Sequence, residues 1–152
     1  GKDFILGVRL SAERFGMKLN DSVQIAQRLM SEDNIDFLDM SLWDVFKDAS
    51  DEAFQGASLL KIFADLPRKG VALGAAGKLY SALDCERAIE HGLDFVIIGR
   101  AAVVHADFPV QALSNPAFKM LDLPVSRDHL MSQGLSPTFI DYMASWKGFV
   151  AA

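Results

Sequence analysis

Three scarcities narrow the classes of protein to which this chain can belong. It has one cysteine, Cys85, among 152 residues, which excludes an internal disulfide and fits a reducing cytoplasm. Its formal net charge is −5, so it lacks the excess of positive charge that is typical of proteins that bind nucleic acid or an anionic membrane surface. No apolar run approaches the ~18 residues of a membrane span. We therefore expect a cytoplasmic protein with no nucleic-acid partner and no membrane partner.

The remaining composition is that of a globular protein. Hydrophobic residues make up 51% of the chain and charged residues 23%, which suits one domain with a sizeable core. The start is abrupt, because the first predicted strand follows directly after Gly1-Lys2-Asp3. We interpret this start as a sign that the chain is a fragment of a longer protein.

The most informative stretch is Asp-Phe-Val-Ile-Ile-Gly-Arg-Ala at residues 94–101. Its apolar run predicts a strand buried on both faces, as in a parallel sheet. Gly99 leaves the backbone open to close approach, and Arg100 adds a fixed cation, a combination that suits a phosphate. A similar arrangement lies upstream at residues 70–78. Two neighbouring strands that both end in small residues can hold one phosphate between them.

Strands and helices alternate along the chain. Asn20, Asp21 and Ser22 are predicted to cap the first helix, whereas Pro67 and Gly92 are predicted to end the second and third. The order is βαβαβαβ, which indicates a parallel sheet with right-handed crossovers. The predicted strands are 4–11, 35–41, 71–73 and 93–98, and the predicted helices are 23–30, 57–66 and 81–90.

Two α/β architectures fit this order. One is an open doubly wound sheet, and the other is half of a (β/α)8 barrel, whose full form needs ~250 residues. Such barrels commonly bind a phosphate at the loops after their last two strands, and the two glycine-ended strands are the last two here. That placement favours the second half of a barrel. The longest predicted loop, 42–56, contains Trp43 and Phe46, which either line the mouth of a pocket or pack in the core.

Residues 109–152 form a different kind of segment, rich in proline and aromatic residues. A helix is predicted at 139–146, after a Ser-Pro-Thr start at 136–138. We expect the aromatic residues to pack against the barrel wall or a neighbouring subunit, because so many are unlikely to face water. They are Phe118, Phe139, Tyr142, Trp146 and Phe149.

In order along the chain, five stretches resemble the carboxyl-terminal half of the Old Yellow Enzyme family. These stretches are Gly-Val-Arg-Leu-Ser at 7–11, Asp-Phe-Leu-Asp-Met-Ser at 36–41, Gly-Ala-Ala-Gly at 74–77, the stretch at 94–101, and Asp-Phe-Pro at 107–109. The family comprises FMN-dependent NAD(P)H:flavin oxidoreductases and ene-reductases built on a TIM barrel. The resemblance implies that residues 1–108 are strands 5–8 of that barrel with their helices, and that residues 109–152 are a C-terminal extension.

The resemblance also implies residue roles. Arg9 would point at the pyrimidine edge of the flavin, where a cation stabilises negative charge on the reduced ring. Ala76 and Gly77 would donate hydrogen bonds from their backbone amides to the FMN phosphate. Gly99 and Arg100 would bind the same phosphate. The alternatives are an ion pair between Arg9 and a carboxylate such as Asp39, and tight-turn geometry alone for Gly77 and Gly99.

The catalytic residues of the family belong to the half of the barrel that this chain lacks. They are a His/Asn or His/His pair that holds the substrate, and a tyrosine that donates a proton. We expect His91, His105 and His129 to be structural, so the chain has no predicted catalytic residue and no metal site. The parent enzyme would reduce FMN with NAD(P)H and pass hydride to a small-molecule acceptor, whereas the chain alone is expected to be inactive.

Half a barrel leaves two strand edges open. We therefore expect either a missing first-half chain or a homodimer that closes these edges. Two other functions stay open. One is a non-catalytic half-barrel module for phosphate-ligand binding or assembly. The other is a different phosphate-binding barrel enzyme with aldolase or isomerase chemistry, for which Lys78 and Asp39 are the candidate groups.

Overall fold

A computed structural model describes residues 3–32 and 34–151. Four residues lie outside the described part of the chain: Gly1, Lys2, Asp33 and Ala152. Gly1 and Lys2 belong to the abrupt start noted in the sequence. The described chain forms two compact units. The first comprises the residues up to Leu79 together with Cys85–Ile97, and the second comprises Tyr80–Asp84 together with the residues from Ile98 onward.

The first unit contains a four-stranded parallel sheet. Its strands pair in the order in which they occur in the chain, which confirms the predicted α/β class and the βαβαβαβ order. The strands are β1 (Gly7–Ser11), β2 (Phe37–Ser41), β3 (Ala72–Ala76) and β4 (Phe95–Ile97), and the helices between them are α1 (Leu19–Ser31), α2 (Leu59–Ala64) and α3 (Ala82–Glu90). A doubly wound sheet requires a point at which the strand order reverses. These four strands show no such reversal.

Two Asp-Phe pairs fix where strands β2 and β4 begin. The Asp36 Oδ2 atom accepts a hydrogen bond from the Leu6 amide at 2.7 Å, and Asp94 Oδ2 accepts one from the Leu73 amide at 2.7 Å. In return, the Asp36 and Asp94 amides donate to the carbonyls of Leu6 and Leu73. Each aspartate therefore holds the start of its strand to the strand before it. Arg68 forms an ion pair with Asp94 at 2.6 Å.

The two faces of the sheet differ in burial. One face is covered, and its central side chains Leu38, Met40, Leu73 and Ala75 have no exposed surface. Right-handed crossovers between strands that pair in chain order put the connecting helices on one side, and α1 contacts β1 and α2. The apolar core of the first unit therefore lies between this face and its helices.

The opposite face, which we call the open face, consists of three rows of paired residues. Of its members, only Asp39 and Gly74 are buried, and the others are partly or fully exposed. The rows are Gly7, Phe37 and Ala72; then Arg9, Asp39, Gly74 and Phe95; then Ser11, Ser41, Ala76 and Ile97. Within this single chain, the predicted burial of the strands is therefore seen on the covered face and not on the open face.

The predicted cap of the first helix is also wrong. The helix begins at Leu19, with Lys18 as the N-cap and no side-chain cap. Ser22 is buried instead, and its hydroxyl donates to the carbonyls of Ala12 and Lys18 at 3.3 and 3.4 Å. Leu19 is buried as well. The helix starts earlier because its first residue contributes to the core, a tertiary gain that outweighs capping preference.

The second unit is helical. It contains α4 (Arg100–Val104), α5 (Phe108–Ser114), α6 (Arg127–Ser132) and α7 (Pro137–Ala144). The predicted last helix is confirmed, since the Ser136 hydroxyl caps it by accepting from the Phe139 amide at 3.3 Å and Pro137 is its first residue. Helices α4 to α6 were not predicted. Across residues 3–32 and 34–151, no helix is both long and apolar enough to cross a membrane.

Three of the tail aromatics are not shielded by this chain itself, so the predicted packing against a neighbouring subunit stays a prediction for them. Phe139, Tyr142 and Trp146 are each between 42% and 55% exposed, whereas Phe149 is buried. Successive rings lie 5.9–6.0 Å apart between centroids. The three exposed residues are spaced by three and four positions, so they lie along one side of the chain around α7 and contact each other.

Candidate functional site

Arg9 is the exposed cation of the open face. It occupies the centre of β1, and its side chain is 57% exposed. Its Nη1 atom lies 3.5 Å from Asp39 Oδ2, and its Nη2 atom donates to the Ser41 hydroxyl at 3.3 Å. The ion pair is long for its type, since charge-assisted pairs are usually ~2.7–2.9 Å. Arg9 therefore makes the alternative contact that we considered, yet much of its guanidinium still faces outward.

Asp39 is the buried partner of this pair. The residue is 8% exposed, and its neighbour in the row on the other side is Gly74, over which the Phe95 ring lies. Burial raises the pKa of the Asp39 carboxyl above its ordinary value, and the Arg9 charge lowers it only in part. Asp39 is thus a carboxylate whose charged form is disfavoured by burial and only partly compensated by Arg9.

Ala76 and Gly77 lie at the carboxyl end of β3. The Ala76 carbonyl accepts from the Leu42 amide at 2.9 Å, and the Gly77 carbonyl accepts from the Val45 amide at 3.2 Å. A Cβ at Gly77 would lie 2.6 Å from the Asp44 nitrogen and 2.7 Å from the Trp43 carbonyl carbon. The loop after β2 thus packs directly on Gly77, which explains the glycine without a ligand. A phosphate cannot approach Gly77 from that side.

Gly99 and Arg100 belong to the second unit. Gly99 is exposed, precedes α4, and would have nothing within 4 Å of an added Cβ. Arg100 is half-buried, and its guanidinium carbon lies 5.3 Å from the centre of the Tyr80 ring. Tight packing therefore does not account for glycine at 99, and the open space beside it would fit a ligand that approaches the backbone.

The structure groups three of the five predicted site residues. Arg9 and Ala76 lie on the open face in adjacent rows, and Gly77 follows Ala76 directly. Gly99 and Arg100 are neighbours in the other unit. A joint grip on one phosphate by Ala76, Gly77, Gly99 and Arg100 stays a prediction.

The residues considered for aldolase or isomerase chemistry have other partners. Lys78 forms an ion pair with Asp44 at 2.9 Å, and Asp39 faces Arg9. This lysine is therefore not an isolated amine at the strand end.

All three histidines make structural contacts. The His91 Nδ1 atom lies 2.7 Å from the Arg87 carbonyl, and His129 Nε2 lies 2.7 Å from the Val104 carbonyl. His105 Nε2 accepts a hydrogen bond from the Leu121 amide at 3.0 Å. These contacts match the structural reading of the histidines.

Two loops at the carboxyl end of the sheet make a contact that was not predicted from the sequence. The Glu13 Oε1 atom accepts from the amides of Ser50 and Asp51 at 2.6 and 3.0 Å. Beside it, the Arg14 guanidinium carbon lies 3.9 Å from the centre of the Trp43 ring. Trp43 is largely exposed, so it is not part of the core. Sequence spacing gives no signal for these contacts, because the two loops are far apart in the chain.

Neither comparison with known proteins nor metal-ligand geometry adds a function. The chain matches no protein-family model, and no curated protein matches it. Within residues 3–32 and 34–151, no group of three or more His, Cys, Asp or Glu side chains is arranged to hold a metal ion. The residues themselves therefore carry the functional argument.

Proposed function

We propose that this chain is the FMN-binding half of an NAD(P)H-dependent flavin oxidoreductase related to the Old Yellow Enzyme family. The observation that supports this most is the placement of Arg9, a half-exposed cation in the middle row of the open face of a parallel sheet. In such an enzyme, bound FMN accepts hydride from a nicotinamide and passes it to an activated alkene or a related acceptor.

Two groups of residues would hold the cofactor. Arg9 would bind the pyrimidine edge of the flavin and stabilise negative charge on the reduced ring. Gly99 and Arg100 would bind the phosphate, through an open backbone and a charge-assisted contact. Ala76 and Gly77 are the second proposed phosphate contact. Any such contact must come from the side of Gly77 that faces away from Trp43 and Asp44.

The open face suits a barrel interior. Its residues alternate along each strand with those of the covered face, as inward-facing and outward-facing residues of a barrel strand do. Strands β1 and β4 end the described sheet, and Phe4 and Ile5, just before β1, are more than 70% exposed. These features support a missing first half or a second copy as the partner that closes the sheet.

The unpaired edges of β1 and β4 equally support the second candidate, a non-catalytic half-barrel that assembles through these edges and binds a phosphate ligand. The difference between the two candidates is the flavin, because an assembly module needs none.

The visible spectrum of the purified chain, together with its mass in solution, tests the proposal. A flavin band near one FMN per chain, retained or gained after FMN is added, is the expected result. A chain that stays colourless with excess FMN contradicts flavin binding. If that colourless chain has a dimeric mass, the assembly module is favoured.

A further inference from the structure

Asp39 contains a buried oxygen that nothing in the described structure satisfies. Among residues 3–32 and 34–151, its Oδ1 atom is the one buried side-chain nitrogen or oxygen without a hydrogen-bond partner. An unpaired carboxylate oxygen in such a position is costly, and neutralisation by a proton is the usual way to lower that cost. The unsatisfied oxygen is therefore a position where a proton would lower the cost of burial.

Arg9 is the charged side chain that faces Asp39. The Asp39 Oδ2 atom lies 3.5 Å from Arg9 Nη1, whereas the Arg68–Asp94 and Lys78–Asp44 pairs lie at 2.6 and 2.9 Å. The Arg9–Asp39 pair is therefore loose. An anion on the open face can draw the Arg9 guanidinium toward itself without first breaking a tight ion pair.

No other charge competes in this position within the described sheet. Strands β3 and β4 carry no titratable residue, and Arg9 and Asp39 are the charged residues of β1 and β2. The connecting helices lie on the opposite side of the sheet. Their charged residues within the first unit are all exposed: Asp21, Arg28, Lys61, Glu86, Arg87 and Glu90. The protonation of Asp39 therefore depends chiefly on its burial and on how much of the Arg9 charge reaches it.

We propose that Asp39 is a proton-linked positioning residue, which orients Arg9 as a carboxylate and takes up one proton from solvent when Arg9 binds an anionic planar ring. The inference rests on the proposed function, in which that ring is the reduced flavin. The only bond that forms is O–H on the carboxyl. Since linkage is reciprocal, protonation of Asp39 strengthens anion binding at Arg9 to the same extent.

The first test follows the carboxyl carbon of Asp39 by NMR as a function of pH in the full chain, labelled with ¹³C-aspartate. Three states are compared: the chain alone, the chain with oxidised FMN, and the chain with chemically reduced FMN. The pKa of Asp39 is expected to rise by at least about one unit between the oxidised and reduced complexes, a tenfold change in proton affinity.

An Arg9→Gln variant tests the coupling without any flavin. Removal of the arginine charge is expected to raise the pKa of Asp39 further, because Arg9 is the group that lowers it. An unchanged Asp39 titration in this variant overturns the inference whether or not FMN binds.

An Asp39→Asn variant supplies the binding test. The quantity compared is the ratio of the affinities of wild type and Asp39→Asn for reduced FMN. As pH rises and Asp39 ionises, this ratio is expected to fall by up to about tenfold per pH unit. A constant ratio across pH, with FMN bound in both proteins, overturns the inference alone. Failure of both proteins to bind FMN overturns the proposed function and the inference with it. If Asp39→Asn does not fold, the two NMR titrations decide the question.

Discussion

The ring of Phe95 fills the space that a side chain at Gly74 would occupy, since an added Cβ would lie 2.2 Å from the Phe95 Cε2 atom. Phe95 also packs edge to face on Phe37, with 5.7 Å between ring centres. A Cβ at Gly7 would in turn come within 2.0 Å of the Phe37 ring. Two glycines thus leave room for two aromatic rings on the open face.

We therefore expect Gly74→Ala to destabilise the protein. The added methyl group must displace the Phe95 ring, and overpacking of this kind costs about 1–3 kcal/mol. Urea unfolding of both proteins measures the loss. Gly74→Ala in a Phe95→Leu background is the matched control, because the ring that clashes with the added Cβ is then absent and the methyl group is expected to cost less. Equal losses in both variants would show that the Phe95 ring is not the cause.

Glu13→Gln should loosen the loop after β2. Burial would raise the pKa of Glu13, but the amides of Ser50 and Asp51 and the Lys47 ammonium lower it overall. The charged form is thus favoured in the fold, and its stabilising effect is lost as pH falls through that lowered pKa. Replacement by the neutral amide is expected to cost up to about 1.5–3 kcal/mol, the range for hydrogen bonds to a charged group.

Hydrogen exchange of the Ser50 and Asp51 amides checks this effect directly. Both amides should exchange faster in Glu13→Gln, while Glu90→Gln, which changes an exposed glutamate, should leave them unchanged. Unchanged protection in Glu13→Gln would mean that the Glu13 carboxylate does not hold the loop.

His105 should make the second unit sensitive to acid. Burial, and then the nearby charge of His129, lower the pKa of His105, and its neutral form accepts the Leu121 hydrogen bond. The unfolded chain binds a proton near the ordinary histidine pKa of about 6.5, so it is favoured as pH falls below that value. Stability is therefore expected to be complete above about pH 7 and to decline below about 6.5.

Urea unfolding at pH values from 5 to 8 tests this sign. The decline should be shallower in His105→Gln, which cannot be protonated, and unchanged in His91→Gln, which alters an exposed histidine. A wild-type decline that His105→Gln does not alter would assign the acid sensitivity to another group.

Arg100→Ala should weaken the retention of FMN. A charge-assisted contact to phosphate is worth about 1.5–3 kcal/mol, so the dissociation constant should rise by roughly 10- to 150-fold. Equilibrium titration with FMN measures it. Arg28→Ala is the control, since Arg28 is an exposed arginine that pairs with Glu32 on α1. Equal FMN affinity in Arg100→Ala and wild type contradicts the role that we give to Arg100.

The sequence was sufficient for the order of elements in the first unit. Short apolar runs led by Asp36 and Asp94 predicted the strands, and the stops at Pro67 and Gly92 predicted the helix ends. These signals are local, since they depend on residues within one turn or one strand. The start of α1 was missed because the burial of Leu19 decides it, and burial depends on distant parts of the chain.

The site was only partly predictable for the same reason. Strands that end in small residues predicted Gly77 and Gly99 as phosphate contacts. The contact of Gly77 with Trp43 and Asp44 could not be predicted, because it depends on how two segments distant in the chain pack together. The lack of a hydrogen-bond partner at Asp39 Oδ1 depends on the strand register, which puts Asp39 between Arg9 and Gly74. Helices α4 to α6 are five to seven residues long, too short to show a clear helical period.

The most direct test of the account is a comparison of FMN with riboflavin. The two ligands share the flavin ring, and only FMN has the phosphate that Gly99 and Arg100 are proposed to bind. Fluorescence titration of the full 152-residue chain should show FMN binding at least about tenfold more tightly than riboflavin, as one charge-assisted phosphate contact predicts. Equal affinity for the two ligands, or no binding of either, would contradict the central claim.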